Sequence, residues 1–114
     1  MAHTGRCHCG SLAFELDGDI AEVYDCNCSM CRRRGGLLAF AAADALRETG
    51  SGTPQTYRFN THNIAHHFCG TCGIAPYSRG VGPDGAEMAC VNVRCIDGID
   101  LASVKIVQVD GARL

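Results

Sequence analysis

Short stretches in which apolar and polar residues alternate run through most of the chain. In SLAFELDG, residues 11–18, the side chains of Leu12, Phe14 and Leu16 fall on one face of an extended segment, which predicts a half-buried β-strand. The run GGLLAFAAA, residues 35–43, is apolar and opened by two glycines, and it predicts a buried strand. Further strands are predicted at 55–60, 63–68, 87–95 and 105–109.

The segments between these strands predict turns, with no long helical period. The strand at 87–95, EMACVNVRC, is expected to place Val93 and Cys95 on the same face as Val91. Helical turns are predicted at 44–47 and 99–104, a loop at 50–54 and a Pro-Asp-Gly turn at 83–85. Short strands at regular spacing with glycine-rich turns predict a mainly all-β fold, of one or two small sheets and one or two short helical turns. The length predicts a single domain over 1–114.

Composition and charge narrow the class of protein. The chain is 46% apolar and 19% charged, which is typical of a globular protein. Its net charge of −2 gives no general attraction to nucleic acid or anionic membrane, so neither is predicted as a partner. No apolar run approaches the length of a membrane span, and the first ten residues, MAHTGRCHCG, lack a hydrophobic signal segment. We therefore expect a cytoplasmic protein; the sequence is silent on its oligomeric state.

The nine cysteines change this picture most. An odd number without a secretory signal argues against a disulfide framework and favours metal binding. Seven of them fall into three tight groups, a CxC, a CxCxxC and a CxxC, each beside glycine or another small residue. These groups are Cys7 and Cys9; Cys26, Cys28 and Cys31; and Cys69 and Cys72.

The number of thiolates in each group suggests two metal sites. Zinc takes four ligands in a tetrahedron, and a CxC plus a CxxC supply four sulfurs, which predicts a closed structural site. The group at 26–31 has three sulfurs and leaves one position open, as catalytic zinc sites do. Three other possibilities stay open for the groups: completion of the second site by Cys90, Cys95 or a histidine, an empty thiol cluster, and a redox dithiol at CxxC.

The three groups in this order resemble one family. RCHCGS, CNCSMCRRRGG and HHFCGTCG are similar to segments of the glutathione-dependent formaldehyde-activating enzyme family, which includes centromere protein V. The resemblance covers about residues 5 to 110 and implies a β-tent fold, in which zinc staples small antiparallel sheets. It implies two zinc ions per chain, with structural ligands Cys7, Cys9, Cys69 and Cys72 and catalytic ligands Cys26, Cys28 and Cys31.

The activity that the resemblance implies is that of a carbon–sulfur lyase. Enzymes of this type add glutathione to formaldehyde and split the adduct in reverse, so the expected partner is glutathione or another small thiol adduct. Arg32 and Asn27 are the candidate substrate-binding residues: Arg32 is the arginine nearest the CxCxxC group and suits a carboxylate, whereas Asn27 stands where many members carry histidine and could donate a hydrogen bond. The alternative functions are a non-catalytic zinc-binding or protein-interaction module and a thiol or metal buffer.

Overall fold

The computed structural model describes residues 2–59 and 61–113. Position 60, the end of the strand predicted at 55–60, and positions 1 and 114 lie outside the described residues. Ten strands occur in the described part of the chain: β1 (Ala2–Arg6), β2 (Ala13–Asp17), β3 (Glu22–Cys26), β4 (Leu38–Ala42), β5 (Leu46–Glu48), β6 (Gln55–Tyr57), β7 (Ala65–Phe68), β8 (Tyr77–Val81), β9 (Glu87–Asn92) and β10 (Lys105–Val109).

The strands form two sheets, which confirms the mainly β prediction. A three-stranded antiparallel sheet has the order β1-β2-β5, and a seven-stranded sheet has the order β10-β3-β4-β9-β8-β7-β6. In contrast to the antiparallel sheets that were expected, β10 runs parallel to β3, with Lys105 opposite Glu22 and Val109 opposite Cys26. The chain can make this parallel pair because nearly the whole fold lies between the two strands as a crossover.

Short helical segments interrupt the strands. One turn of α-helix, α1 (Cys31–Arg34), follows the CxCxxC group, and Gly35 ends it in a left-handed conformation with φ 71°. Single 3₁₀ turns lie at Ala43–Ala45, Val93–Cys95, Leu101–Ser103 and Gly111–Arg113. None of the helices in the described part of the chain combines the length and the hydropathy that crossing a membrane requires.

The strand predicted at 87–95 is wrong at its carboxyl end, because β9 stops at Asn92. The Asn92 side chain accepts hydrogen bonds from the backbone N–H groups of Arg94, at 3.1 Å, and Leu37, at 3.3 Å. These bonds favour a turn over continued strand, as asparagine side chains often do. Val93 stays fully buried, but Cys95 lies in a 3₁₀ turn and not on the β9 face.

The core joins the two sheets. Phe14 of the small sheet is 1% exposed and packs edge-on against Tyr77 of the large sheet, with ring centroids 6.0 Å apart at 84°. Gly5 on β1 permits this packing, because a Cβ there would collide with the Phe14 ring. Arg79 on β8 adds a polar tie, donating to the carbonyl oxygens of Ala43 and Leu46 at 2.9 Å each. These contacts fix the positions of the loops that carry the cysteines.

Candidate functional site

Four of the cysteines meet between the two sheets as the sequence predicts. Their Sγ atoms all lie within 4.8 Å of one another, with 3.7 Å between Cys7 and Cys9 and 3.5 Å between Cys9 and Cys69. Sulfurs at the corners of a tetrahedron with metal–sulfur bonds of 2.3 Å are about 3.8 Å apart. Residues 7, 9, 69 and 72 therefore have the donor set and the spacing that a zinc ion needs.

Backbone amides already point at these sulfurs. Leu12 N–H donates to Cys7 Sγ at 3.3 Å, and the N–H groups of Thr71 and Cys72 both donate to Cys69 Sγ at 3.4 Å. Hydrogen bonds from the backbone of Cys72 and Thr71 lower the pKa of the Cys69 thiol, against the effect of burial. Backbone hydrogen bonds involving Ile74 and Cys9 lower the pKa of Cys72 to about 6. At Cys9 a backbone hydrogen bond from Ser11 acts to lower the pKa, but the Cys69 thiol and burial outweigh it and raise the pKa to about 11. The loop hydrogen bonds thus favour thiolate, the form that binds metal, at Cys69 and Cys72.

The other three clustered cysteines form a second group at one end of β3. Cys26 is the last residue of β3, Cys31 is the first of α1, and Cys28 lies in the turn between them. Their three Sγ atoms are within 4.8 Å of one another and each residue is half-buried. Cys31 N–H donates to Cys28 Sγ at 3.3 Å, so the turn fixes that sulfur.

The thiols of this second group differ in acidity. Burial acts to raise the pKa of Cys28, but hydrogen bonds from the Cys31 backbone and thiol outweigh it, and the net pKa is lowered. Burial and the neighbouring Cys28 raise the pKa of Cys31. The turn thus favours the thiolate form at Cys28, and a cation bound between the sulfurs would favour it at Cys31 as well.

No fourth ligand completes the second group among the described residues. Within residues 2–59 and 61–113, no further cysteine, histidine or carboxylate joins residues 26, 28 and 31 at the same spacing. Cys95, one of the possible fourth ligands, lies where the charges of Cys7 and Cys72 act on it, and burial together with those charges raises its pKa to about 11. Burial raises the pKa of Cys90 to about 12, and the charge of Cys26 acts in the same direction, so this half-buried thiol stays protonated near pH 7.

The carboxyl end of the chain covers one side of the second group. A Cβ placed on Gly111 would lie 2.5 Å from Cys26 Sγ and 3.3 Å from Cys28 Cβ, so only glycine fits there. Asn27 holds this turn: its amide donates to Asp110 Oδ1 at 3.0 Å, and its carbonyl oxygen accepts from Ala112 N–H at 3.0 Å. The Asn27 side chain, a predicted substrate ligand, is thus engaged by the carboxyl-terminal turn.

A groove of about 640 Å³ lies next to the turn that carries the second group; none of the seven clustered cysteines lines it, and Phe68 and Gly73, which flank the CxxC group, do. Its lining includes Ser29 and Met30 from the cysteine turn, Arg33 and Arg34 from α1, and Tyr57 and Phe59 from the segment at β6. Arg33 also donates to the Ser29 carbonyl oxygen at 2.7 Å. Arg32, the predicted substrate-binding arginine, is exposed on the same helical turn and is not one of the lining residues.

Three flat rings stack at one wall of this groove. The Tyr57 and Phe59 rings are 5.7 Å apart at 17°, and the Phe59 and His66 rings are 5.4 Å apart at 29°. Burial, and after it the charge of Arg34, lowers the pKa of His66, so the stack contains a neutral imidazole near pH 7. The side chain of His67, the next residue on β7, is not part of this stack, and its Nδ1 lies 2.9 Å from Thr56 Oγ1.

Two parts of this site were absent from the expectations based on sequence. Gly111 carried no signal, because a glycine after a strand usually marks an ordinary turn. The Tyr57–Phe59 pair did carry one, since residues two apart in the strand predicted at 55–60 lie on the same side of it. What the sequence lacked was the position of that strand across from the arginines of α1.

The cysteine geometry agrees with comparisons to known proteins. The sequence model of the family described as "Glutathione-dependent formaldehyde-activating enzyme" matches residues 2–107. A crystal structure of a Rhodobacter sphaeroides protein, a structural genomics target, superimposes with a TM-score of 0.77 at 32% sequence identity, covering 91% of this chain and 99% of that one. The family match spans all seven clustered cysteines and ends before the carboxyl-terminal turn. The chain therefore belongs to the glutathione-dependent formaldehyde-activating enzyme family.

Proposed function

We propose that this chain is a carbon–sulfur lyase that forms and splits the adduct of a small thiol, such as glutathione, with an aldehyde. The reaction is assigned to the cluster of Cys26, Cys28 and Cys31, and a structural role to the four-cysteine cluster. The observation that carries the proposal is the three-sulfur geometry: three half-buried Sγ atoms within 4.8 Å, with no fourth ligand among the described residues. Family membership supports the same class of reaction.

The residues around the cluster fit a thiolate-bound cation with one side accessible. Zinc held by these three thiolates would supply a Lewis acid with one open position, which could stabilise either a further thiolate or a carbonyl oxygen. Cys31 N–H fixes the Cys28 sulfur. Gly111 lies against Cys26 and Cys28, so the carboxyl-terminal turn covers that side of the cluster. Arg33 and Arg34 place two positive charges where an anionic thiol would approach.

The reaction balances without a redox partner. The thiol loses its proton, its sulfur forms a bond to the carbonyl carbon, and the carbonyl oxygen gains a proton to become hydroxyl. The reverse step returns the proton to sulfur and restores the carbonyl. The reaction already proceeds slowly in water. The chain contributes orientation of the two reactants and charge that favours the thiolate, and both accelerate it.

Exchange spectroscopy by NMR tests this proposal. Formaldehyde and glutathione combine spontaneously, so the quantity to measure is the rate of exchange between free and adduct forms, with and without zinc-loaded protein. We expect the wild type to accelerate exchange and Cys28→Ser to abolish the acceleration. Cys90→Ser makes the same atom change in β9, outside both clusters, and is the matched control.

The possible outcomes separate the candidate functions. Acceleration that survives in Cys28→Ser contradicts the role given to the three-cysteine cluster. If the wild type binds zinc at both clusters but accelerates nothing, the chain is a metal or thiol buffer or a binding module. Circular dichroism of each variant establishes that loss of rate is not loss of fold.

A further inference from the structure

We propose that the groove beside the three-cysteine cluster binds thiol adducts that carry both a carboxylate and a flat aromatic group. The inference rests on the proposed function and deepens it, because it names the class of aldehyde: an aromatic one is preferred to formaldehyde. The groove is the one lined by Arg33, Arg34, Tyr57 and Phe59.

The first support is the exposed end of the aromatic stack. Tyr57 remains 48% exposed although it lines a concave surface and stacks on Phe59. Its partner in the stack is itself backed by His66, which is only 9% exposed. The wall is therefore a layered aromatic surface whose outermost ring is accessible, and a ligand ring that packs there gains contact beyond simple burial.

The second support is the positive charge of the α1 residues that line the groove. Arg33 and Arg34 line the groove, and no aspartate or glutamate is among the described residues that line it. The ion pairs between described residues involve Arg47, Arg79 and Arg113, and neither groove arginine takes part in one. Two guanidinium groups without an acidic partner among the described residues suit the carboxylate of a ligand.

The third support is size. A groove of about 640 Å³ lies in the range of sites that take whole organic ligands. The hydroxymethyl group that formaldehyde contributes has a single carbon and no ring that could stack on the aromatic wall. An aromatic aldehyde adds a ring at that same carbon, and the bond changes of the reaction stay the same: sulfur bonds to the carbonyl carbon and the proton moves to oxygen.

Calorimetric titration with two unreactive probes tests the inference. S-benzylglutathione and S-methylglutathione carry the same carboxylates and differ only in the ring. We expect zinc-loaded wild type to bind the benzyl probe about tenfold more tightly, the gain of one favourable ring contact. In Tyr57→Ala this ratio should fall to about two or less. Equal affinity in the wild type, or an unchanged ratio in Tyr57→Ala, overturns the inference.

Matched controls separate the groove from general surface effects. Phe40 is 54% exposed and packs against Tyr24, but it lies outside this groove, so Phe40→Ala should keep the benzyl preference. Arg34→Gln should weaken both probes about three- to fivefold and leave their ratio unchanged. Arg32→Gln removes the same charge from the same helix; equal weakening by the two changes contradicts a specific role for Arg34.

Failure of this inference is distinguishable from failure of the proposed function. The titration needs no turnover, whereas the exchange experiment uses formaldehyde and no ring. Accelerated formaldehyde exchange with no benzyl preference overturns the aromatic substrate class alone. A benzyl preference with no accelerated exchange for formaldehyde or benzaldehyde makes the groove a binding site and overturns the lyase.

Discussion

Gly111→Ala is the sharpest perturbation that the second cluster offers. The added Cβ would lie 2.5 Å from Cys26 Sγ, and ordinary contact between such atoms begins near 3.4 Å. The gap must therefore open by about 1 Å, and either the cysteine group or the carboxyl-terminal turn has to move. The turn is held mainly by the two exposed hydrogen bonds of Asn27, each worth about 0.5–1.5 kcal/mol, whereas β3 is anchored in a sheet.

The turn is the weaker side, so we expect it to detach. Loss of the two bonds shifts its opening by about 1–3 kcal/mol, which is a factor of about 5 to 160 in the population of the open form. The rate at which iodoacetamide alkylates Cys26 in zinc-free protein should rise by a similar factor, as measured by peptide mass spectrometry. Global stability should change little, because the buried core is untouched.

Ala112→Ser is the matched control for this experiment. It adds one heavy atom to the same turn, at an exposed residue whose backbone N–H still bonds to Asn27. Its alkylation rate should match the wild type. If Gly111→Ala also matches the wild type, the turn does not cover Cys26 in solution and the reasoning from the close approach fails.

Further perturbations address the metal, the core and the surface charge. Protein purified without chelator should contain about two zinc ions per chain by elemental analysis, and a value near one would mean that only one cluster is filled. Cys69→Ser should cost several kcal/mol of unfolding free energy in urea, because structural zinc contributes on the order of 10 kcal/mol to small domains; an unchanged midpoint would refute a structural role. Phe14→Ala should cost about 3–5 kcal/mol in the same assay, as for other large buried rings, and a loss below 1 kcal/mol would contradict its place between the sheets. Hydrogen bonding and charge from Arg47 lower the folded-state pKa of Asp17 below 3.8. The contribution of this pair to folding stability is therefore present above the unfolded-state pKa and is lost as the pH falls through the folded-state pKa. The difference in melting temperature between wild type and Arg47→Gln should be constant above about pH 5 and vanish in stronger acid.

The cysteine clusters could be predicted from the sequence because their signal is local. A CxC, a CxCxxC and a CxxC restrict their own sulfurs to a few ångströms, whatever the surrounding fold, and only the pairing of Cys7 with Cys69 is long-range. Strands in which apolar and polar residues alternate, such as the one around Phe14, could be predicted equally well. Their hydrophobic period is set by the two faces of a sheet and is visible in five residues.

Strands whose interior positions are polar or glycine were missed for a physical reason. In β8, YSRGV, an arginine occupies a half-buried position, because Arg79 satisfies its guanidinium on the carbonyl oxygens of Ala43 and Leu46. In β1, AHTGR, a glycine makes room for the Phe14 ring. In both strands the residue is explained by a partner distant in sequence, and no local pattern contains that information.

The parallel pairing of β10 with β3 has a consequence for how the protein is made. Asn27 and Asp110, which hold the last turn against the cysteines, are 83 residues apart. At ordinary rates of synthesis, about 5–20 residues per second, roughly 4 to 17 s separate their appearance. During that interval β3 has an unpaired edge and the nearby thiols lack their cover, and closure waits for β10 and Asp110. The three-cysteine cluster therefore stays uncovered for seconds after its own cysteines are made, and the cellular thiol pool meets this site before Asp110 and Gly111 do.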